Sequence, residues 1–249
     1  MKIRTLGVIP SRFGAQRFPG KPLALIAGKP LVQRVYEQAK LATKLDEVIV
    51  ATDDTRILEA VEGFGGTAVL TSPDCPSGTD RAAEVARDQP CDLIVNIQGD
   101  EPLMRPEMID QLVTGMQQFP DCPMGTLARP IVAADVWLNP NVVKVVFGPS
   151  GNALYFSRCS VPYAREAAGQ FTAGIGHKHI GIYAYRREFL LRYVTLPQTP
   201  LERTEKLEQL RALENGYTIR VWVTPHDSIG VDTPEDAKLV EEILARAGK

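Results

Sequence analysis

Residues 5–31 read TLGVIPSRFGAQRFPGKPLALIAGKPL, and they give the first indication of the fold class. The opening run TLGVIP is short and apolar, which is typical of a strand buried within a sheet. Glycines, prolines and three cations, Arg12, Arg17 and Lys21, follow it directly. In an open α/β sheet, ligands bind beyond the carboxyl ends of the strands, and this loop follows such an end. The stretch therefore predicts an α/β protein with a cation-rich ligand loop after its first strand.

The alternation of apolar runs and amphipathic segments continues along the chain. The runs that predict strands are TLGVIP, DEVIVAT, TAVLT, DLIVNIQ, MGTLARPI, NVVKVVF, ALYFSR, HIGIYAY and TIRVWVT. The segments whose apolar spacing predicts helices are LVQRVYEQAKLA, TRILEAVEGFG, DRAAEVARD, PEMIDQLVTGMQQF, TEKLEQLRALENG and PEDAKLVEEILARA. This order predicts a mostly parallel central sheet flanked by helices. Over about 125–200 the alternation is lost, so we expect one domain over 1–249 with a substrate-facing insertion there.

The cation-rich loop matches neither of the familiar phosphate-binding motifs. A Walker A loop has four residues between its glycines and then Lys followed by Ser or Thr. Here five residues separate Gly14 from Gly20, and Lys21 is followed by Pro22, which supplies neither a hydroxyl nor an N–H. The dinucleotide pattern GxGxxG is also missing. The residues alone leave two interpretations open, a phosphate site of another kind and a solvated basic loop.

The tetrapeptide GKPL of this loop occurs a second time at 28–31. The second copy directly precedes the predicted helix LVQRVYEQAKLA, so it predicts a turn with Pro30 at the first helical position. The dipole at a helix N-terminus disfavours a cation. We therefore expect Lys29 to point into solvent unless a phosphate reaches it, and we assign the first copy to catalysis and the second to chain geometry.

The composition excludes several classes of protein. Apolar residues make up 44% and charged residues 23%, which is typical of a globular protein. The 28 Lys and Arg nearly balance the 30 Asp and Glu, so nucleic acid is not an expected partner, although a small polyanion is possible. No CxxC pair occurs among Cys75, Cys91, Cys122 and Cys159, so free thiols in a reducing compartment are expected. No apolar run reaches about 18 residues and MKIRTLGVIPSR is short for a signal peptide, so we expect a cytoplasmic protein.

Two aspartates follow apolar runs and are candidate metal ligands. Asp100 comes after DLIVNIQ, and Asp232 lies in GVDTPED. Mg²⁺ is bound by one or two carboxylates together with substrate phosphates. An alternative exists for each residue: Asp100 also suits a turn, and DTPED is equally typical of a helix cap.

Motifs along nearly the whole chain are similar to those of the nucleotide-sugar cytidylyltransferases. The similarity begins with residues 7–31, and its most specific part is the combination of QGDEP, YFSR, HIGIY and LEQLR. The matching segments are SGTDR (77–81), VNIQGDEPL (95–103), NPNVVKVV (139–146), ALYFSR (153–158), HIGIYAYR (179–186), PLERTEKLEQLR (200–211) and GVDTPED (230–236).

This resemblance implies a Rossmann-like nucleotide-diphospho-sugar transferase fold whose insertion serves the substrate and dimerisation. The implied activity is Mg²⁺-dependent transfer of CMP from CTP to the anomeric 2-hydroxyl of 3-deoxy-D-manno-octulosonate (Kdo), with release of pyrophosphate. A homodimer that acts in lipopolysaccharide biosynthesis is implied as well. The alternatives are transfer to another acid sugar, of the 8-amino-Kdo or sialic-acid type, and a non-catalytic nucleotide-binding protein of the same fold.

The resemblance also implies the roles of individual residues. The metal ligands would be Asp100 and Asp232, which act in catalysis with Arg12 and Lys21. The nucleotide set comprises Ser11, Arg12, Arg17, Lys21, Ser77, Gly78, Arg81 and Gln98. The sugar set comprises Arg158, His179, Tyr183, Glu208 and Gln209.

Ordinary structural interpretations of these segments remain open from the residues alone. SGTDR suits a capped helix start, HIGIY suits a half-buried strand, and KLEQLRAL suits a solvated helix flank. His179 and Tyr183 are four residues apart in a predicted strand and should therefore share one face. The Ala- and Gly-rich segment YAREAAGQFTAGIG, 163–176, lies where the family varies, and it leaves the choice of sugar open.

Overall fold

The computed structural model describes residues 3–14 and 18–247. The strands are β1 (Thr5–Ser11), β2 (Leu25–Ile26), β3 (Lys29–Pro30), β4 (Glu47–Thr52), β5 (Ala68–Leu70), β6 (Leu93–Asn96), β7 (Met124–Pro130), β8 (Lys144–Phe147), β9 (Ala153–Ser157), β10 (His177–Arg186) and β11 (Ile219–Val223). The α-helices are α1 (Leu31–Lys40), α2 (Thr55–Gly63), α3 (Gly78–Asp88), α4 (Pro106–Gln118), α5 (Ala134–Leu138), α6 (Arg187–Tyr193), α7 (Pro200–Glu205), α8 (Leu210–Glu214) and α9 (Pro234–Ala247), and Lys21–Leu23 form a 3-10 turn.

The chain divides into two compact units, one of Met1–Thr114 with Ser228–Lys249 and one of Gly115–Asp227. In the first unit, β6, β1, β4 and β5 lie side by side in that order, and all are parallel. β1 and β6 are buried along nearly their whole length, as expected when helices cover both faces of a parallel sheet. The carboxyl ends of parallel strands meet at one edge, so the loops after β1, β4 and β6 begin next to one another.

In the second unit the order is β11, β7, β10, β8 and β9. β11 runs parallel to β7, and the other neighbours are antiparallel. The ring of Trp222 in β11 lies against Gly115 and Gly125, where a Cβ atom would approach it to 2.4 and 2.5 Å. Glycine is therefore required at both positions. The register of β7 and β10 shifts between Ile180 and Tyr183, and this bulge shapes the site described below.

The fold class is α/β with a mostly parallel central sheet flanked by helices, as predicted. Each run predicted as a strand forms one, and Pro106 and Pro234 are first helical residues. Pro30 instead caps α1, because Lys29 and Pro30 pair with Leu25 and Ile26 in a short hairpin. In the described part of the chain, none of the helices has the length and apolar character needed to cross a membrane.

One predicted helix was wrong. TEKLEQLRALENG, 204–216, is interrupted because Lys206 adopts a left-handed conformation with φ 55° and ends α7. The chain then turns and begins α8 at Leu210. The break is stabilised by Arg211, whose buried guanidinium donates to both carboxylate oxygens of Glu202 at 2.9 and 2.5 Å. This bidentate ion pair joins α7 to α8, where the apolar periodicity predicts one continuous helix.

Candidate functional site

The cation-rich loop is closed by a hydrogen bond across its base. The N–H of Gly20 donates to the carbonyl oxygen of Phe13 at 3.1 Å. Gly20 has φ 69°, a conformation that glycine adopts without strain because it lacks a Cβ atom. Arg12 is held at the start of the loop, where its Nη2 donates to the carbonyl oxygen of Cys75 at 2.6 Å. Arg17, the remaining predicted cation, lies outside the described residues.

The turn after β6 packs against the end of β1. The N–H of Glu101 donates to the carbonyl oxygen of Gln98 at 3.3 Å and closes this turn. A Cβ atom at Gly99 would lie 2.5 Å from the carbonyl oxygen of Pro10, so only glycine permits the approach. The same Cβ position is 3.2 Å from the hydroxyl of Ser11, which is buried and makes no hydrogen bond within the described chain. Ser11, Gln98 and the following Asp100 are thus brought together.

Lys21 joins the two aspartates that were predicted as metal ligands. Its ammonium donates to Asp100 at 2.8 Å and to Asp232 at 3.3 Å. The Lys21 side chain is 15% exposed, and the two carboxylates are 33% and 49% exposed. The N–H of Val231 donates to the carbonyl oxygen of Asp100 at 2.8 Å and holds the two segments side by side. Two carboxylates that lie 79 and 211 residues from Lys21 in sequence therefore converge on one cation.

The helix-cap interpretation of DTPED applies to other residues than Asp232. Thr233 accepts from the N–H of Asp236 at 3.2 Å, and the Asp236 carboxylate accepts from the N–H of Thr233 at 2.9 Å. This reciprocal pair caps α9. Burial alone would raise the pKa of Asp236, but hydrogen bonds from Asp232 N–H and Thr233 and the charge of Lys21 hold it below the ordinary value. The Asp232 carboxylate is therefore not needed for the cap and faces Lys21.

SGTDR forms the start of α3, and its polar residues divide into two environments. Ser77 caps the helix by accepting from the N–H of Asp80 at 3.2 Å. Arg81 is fully buried, donates to the Thr71 hydroxyl and pairs with Asp53 at 2.9 Å. Arg81 therefore fixes α3 to the segments that follow β4 and β5. Its predicted contact with a nucleotide stays a prediction, as do those of Ser77 and Gly78.

In the second unit, Arg158 is held in place by backbone carbonyl groups. Its guanidinium donates to the carbonyl oxygens of Glu205 at 2.7 Å, Pro140 at 3.2 Å and Lys206 at 3.4 Å. The Glu205 carboxylate in turn accepts from Ser157 at 2.6 Å and from the N–H of Arg158 at 2.9 Å. A guanidinium has five N–H donors, so these contacts leave donor capacity for a carboxylate.

Lys144 is a buried cation beneath this arginine. Its ammonium donates to the carbonyl oxygens of Asn139 at 2.9 Å, Val142 at 2.7 Å and Arg158 at 2.6 Å. Burial lowers the pKa of Lys144 from its ordinary value. Three acceptors match the three donors of an ammonium, so the buried charge is satisfied by the loop before β8 and the end of β9.

His179 and Tyr183 share one face of β10, as predicted, and the bulge brings them closer than strand spacing alone would. His179 pairs with Ala128, and Tyr183 pairs with Thr126, the position that residue 181 would occupy in a regular ladder. The two ring centroids are 5.2 Å apart. Burial lowers the pKa of His179 to about 3, so its ring is neutral near pH 7. Burial also raises the pKa of Tyr183, with Tyr185 and Glu208 contributing.

Glu208 and Gln209 lie in the turn between α7 and α8 and not on a helix flank. Gln209 is buried, and the Glu208 carbonyl oxygen accepts from the hydroxyl of Tyr193 at 2.6 Å. The charge of Glu208 contributes to the raised pKa of Tyr183. His179 and Tyr183 are in ring contact, and with the carboxylate of Glu208 they offer donors and acceptors of the kind that binds a polyhydroxylated molecule.

Sequence reasoning missed four residues that hold this second cluster, namely Thr126, Lys144, Glu202 and Glu205. Thr126 and Lys144 each carried a signal, because a polar residue in the middle of a strand predicted to be buried requires partners. The two glutamates carried none, since Glu205 looks like an ordinary surface residue of the helix predicted over 204–216 and Glu202 lies just before that helix.

The candidate residues of the first unit present cations and converging carboxylates, namely Arg12, Lys21, Asp100 and Asp232. Those of the second unit present a guanidinium, a neutral imidazole, a phenol, a carboxylate and an amide, namely Arg158, His179, Tyr183, Glu208 and Gln209. Residues 6–219 match the family model described as Cytidylyltransferase. The chain belongs to the cytidylyltransferase family, and it is therefore a nucleotidyltransferase.

Relatives within this family are similar over nearly their full length. The chain is 51% identical over 253 residues to a 3-deoxy-manno-octulosonate cytidylyltransferase of Thermodesulfovibrio yellowstonii, with 96% of this chain and 98% of that protein covered. It is 53% identical over 242 residues to a protein of the same name from Syntrophotalea carbinolica, with 95% and 97% covered. A solved structure of CMP:2-keto-3-deoxy-manno-octonic acid synthetase complexed with CTP matches with a TM-score of 0.92 at 43% identity, over 98% of this chain and 99% of that one.

Proposed function

We propose that this enzyme transfers CMP from CTP to the anomeric 2-hydroxyl of Kdo and releases pyrophosphate, as a step of lipopolysaccharide biosynthesis in the cytoplasm. The observation that carries the proposal is the convergence of Asp100 and Asp232 on the ammonium of Lys21, at the edge where the loops after β1 and β6 begin. The names of the relatives that share about half of its residues support the same reaction.

The two aspartates fit a magnesium ion. Their carboxylates already share one cation, and hard oxygen ligands of this kind bind Mg²⁺ together with substrate phosphates. Among the residues described, no third His, Cys, Asp or Glu joins them, which leaves coordination positions for phosphate oxygens and water. When bound, Mg²⁺ would neutralise phosphate charge and lower the pKa of the attacking hydroxyl.

The nucleotide set would act by positioning and by charge. Arg12 and Lys21, with Arg17, would stabilise the triphosphate and the departing pyrophosphate, because charge on the phosphoryl oxygens is the main demand of this chemistry. Within residues 3–14 and 18–247, the buried hydroxyl of Ser11 has no hydrogen-bond partner, and a nucleotide could supply one. Gln98, Ser77, Gly78 and Arg81 complete the proposed set.

The sugar set would bind the acceptor through matched polar groups. A guanidinium such as that of Arg158 binds a carboxylate through parallel hydrogen bonds. Neutral His179 and the phenol of Tyr183 can exchange hydrogen bonds with hydroxyl groups, and Glu208 and Gln209 add an acceptor and an amide. A keto-acid sugar carries this combination of one carboxylate and several hydroxyls.

Pyrophosphate release tests the proposal directly. The enzyme would be incubated with CTP, Mg²⁺ and, in turn, Kdo, 8-amino-Kdo and a sialic acid, with UTP and metal-free reactions as controls. We expect release with CTP and Kdo that depends on Mg²⁺. Faster turnover of another acid sugar would replace Kdo as the acceptor, and CTP binding without turnover of any sugar would favour a non-catalytic nucleotide-binding protein.

We also propose that the chain acts as one domain and forms a homodimer through its second unit. Large apolar side chains are exposed there: Val132 by 71%, Leu138 by 66%, Leu154 by 68% and Tyr163 by 71%. Exposed apolar side chains in such number mark association surfaces when they are contiguous. Sedimentation equilibrium of the wild type and of Leu154→Glu would test this, with a dimer expected for the wild type alone.

A further inference from the structure

Thr126 lies on β7 opposite the bulge of β10 and is not one of the residues proposed to bind the nucleotide, the metal or the sugar. It is fully buried, and its hydroxyl lies 2.9 Å from Nε2 of His179, 2.7 Å from the carbonyl oxygen of Ile182 and 3.2 Å from that of Ile180. One hydroxyl therefore contacts both a ring nitrogen of the proposed sugar site and two backbone carbonyl groups of β10, that of Ile180 at the edge of the register shift and that of Ile182 within it.

The donor and acceptor roles at this hydroxyl follow from proton counting. A carbonyl oxygen can only accept, and a hydroxyl has a single proton. At 2.7 Å, the contact with Ile182 must use that proton, since two oxygens without a shared proton would repel each other. The Thr126 oxygen is then an acceptor toward His179, so Nε2 of His179 must carry a proton and donate it.

We propose that Thr126 is a positioning residue that holds His179 as the Nε2–H tautomer and so presents Nδ1 as an acceptor for a hydroxyl of the sugar. The inference rests on the proposed function only in naming the sugar as the ligand of Nδ1. The ring plane is fixed independently, because Phe156 meets it edge-on with centroids 5.1 Å apart and Tyr183 lies 5.2 Å away.

A neutral imidazole can otherwise exchange between two tautomers with opposite hydrogen-bonding patterns. Burial lowers the pKa of His179 to about 3, so near pH 7 the ring is not doubly protonated and must adopt one of the two neutral tautomers. A fixed partner on one nitrogen settles it, as it does for histidines held by a second hydrogen bond elsewhere in proteins. The same hydroxyl pairs with Ile182 and thereby helps to keep Tyr183 at the register of the bulge.

The test compares the wild type with Thr126→Val, which removes the hydroxyl at nearly constant shape, and Thr126→Ser, which retains it. The chain has three histidines, so ¹⁵N-labelled imidazole spectra are simple to assign by the loss of one spin system in His179→Asn. We expect the Nε2–H pattern for His179 in the wild type and in Thr126→Ser, and a mixed or Nδ1–H pattern in Thr126→Val.

Steady-state kinetics provide the second readout. Loss of one oriented hydrogen bond corresponds to a rise of roughly 3- to 10-fold in the KM for Kdo in Thr126→Val, with the KM for CTP unchanged and Thr126→Ser near the wild type. An Nδ1–H pattern for His179 in the wild type would overturn the proposal, and that result does not require Thr126→Val to fold. A tautomer change in Thr126→Val without a change in the KM for Kdo would overturn it as well. Failure of the wild type to use Kdo would refute the proposed function instead, and the spectra would then judge the tautomer by itself.

Discussion

The two lysines of the repeated GKPL motif differ in their contacts, and this difference predicts different roles. Lys21 is 15% exposed and donates to Asp100 and Asp232, whereas Lys29 is 44% exposed and pairs with Glu37 at 2.7 Å. Removal of a preorganised charge that stabilises the transition state lowers the catalytic rate by about 10²–10³-fold. An exposed ion pair contributes less than about 1 kcal/mol to the free energy of unfolding. We expect Lys21→Ala to reduce kcat by that factor and Lys29→Ala to leave kcat and Tm nearly unchanged.

The expectation that Lys29 points only into solvent needs correction, because it contacts Glu37. Burial alone would raise the pKa of Glu37, but the hydrogen bonds from Lys29 and Gln33 lower it below the ordinary value. Glu37→Gln is therefore the matched control, which breaks the pair and leaves both GKPL copies intact. Similar losses of kcat in Lys21→Ala and Lys29→Ala would show that the phosphate-binding segment extends to the second copy.

The two aspartates give a second prediction at this scale. Asp100→Asn and Asp232→Asn keep the shape of the side chain but remove a negative charge that Lys21 contacts and that Mg²⁺ requires. We expect turnover to fall by at least about 10²-fold while the folded state persists. Mg²⁺-dependent kinetics with circular dichroism check this. The control is Asp236→Asn, which weakens the cap of α9 and the hydrogen bond from Asp232 N–H but leaves both predicted metal ligands in place. Near-normal CMP-sugar formation by either Asn variant would reject the metal assignment.

His179 predicts how stability depends on pH. Its pKa is lowered to about 3 by burial, whereas an unfolded histidine titrates near 6.5. Between these values the unfolded chain binds a proton that the folded chain does not, so stability falls as the pH falls through that window. Between pH 7.5 and 5.5 this residue should account for about 1 kcal/mol of lost stability. Urea unfolding at both pH values should show a loss smaller by that amount in His179→Asn, and an equal loss in both proteins would contradict the assignment.

At the scale of elements, the break between α7 and α8 could not be predicted from periodicity. Lys206 takes φ 55° and ψ 46°, a conformation that costs a residue with a Cβ atom roughly 1–2 kcal/mol. Glycine adopts it freely, so Lys206→Gly should stabilise the protein by about 0.5–1 kcal/mol. Arg203→Gly, inside α7, is the matched control and should destabilise it by about 1 kcal/mol. Chemical denaturation measures both, and destabilisation by Lys206→Gly would mean that contacts of the lysine side chain outweigh the backbone strain.

The other elements show why most of the fold could be predicted. Buried parallel strands such as β1 and β6 carry near-continuous apolar runs, and the helices between them keep an apolar face, so local sequence and tertiary role agree. The β10 bulge is different, because it depends on a hydroxyl from β7 that lies 54 residues from Ile180 and 56 from Ile182. A feature that depends on a partner so distant in sequence cannot be predicted from the local pattern of apolar and polar residues.

At the scale of the whole molecule, the candidate site also contains some residues whose place follows from local sequence and topology and others whose place depends on distant partners. Lys21 and Asp100 lie in segments that follow β1 and β6, so their place at one edge of an α/β sheet could be predicted from topology, whereas Asp232 precedes α9 and was a candidate from the motif GVDTPED. The residues that support Arg158 and His179 were missed, because a polar residue in a predicted strand indicates a need for hydrogen-bond partners but does not show which distant groups those partners are. Family resemblance named the sugar set, and the structure adds the groups that hold it.

The path of the chain predicts how the molecule unfolds. The first unit contains both ends of the chain and is therefore discontinuous, and α4 has residues in both units, so no linker separates them at that point. We therefore expect a single cooperative transition in calorimetry, in line with one domain over 1–249. A ligand that binds only the folded state adds about 2.7 kcal/mol of stability at 100 times its Kd, so CTP with Mg²⁺ should shift that whole transition upward. Lys21→Ala at the same CTP concentration should shift less, because it binds the triphosphate more weakly. Two transitions of which CTP moves only one would show that the units unfold independently, and the single-domain proposal would have to be abandoned.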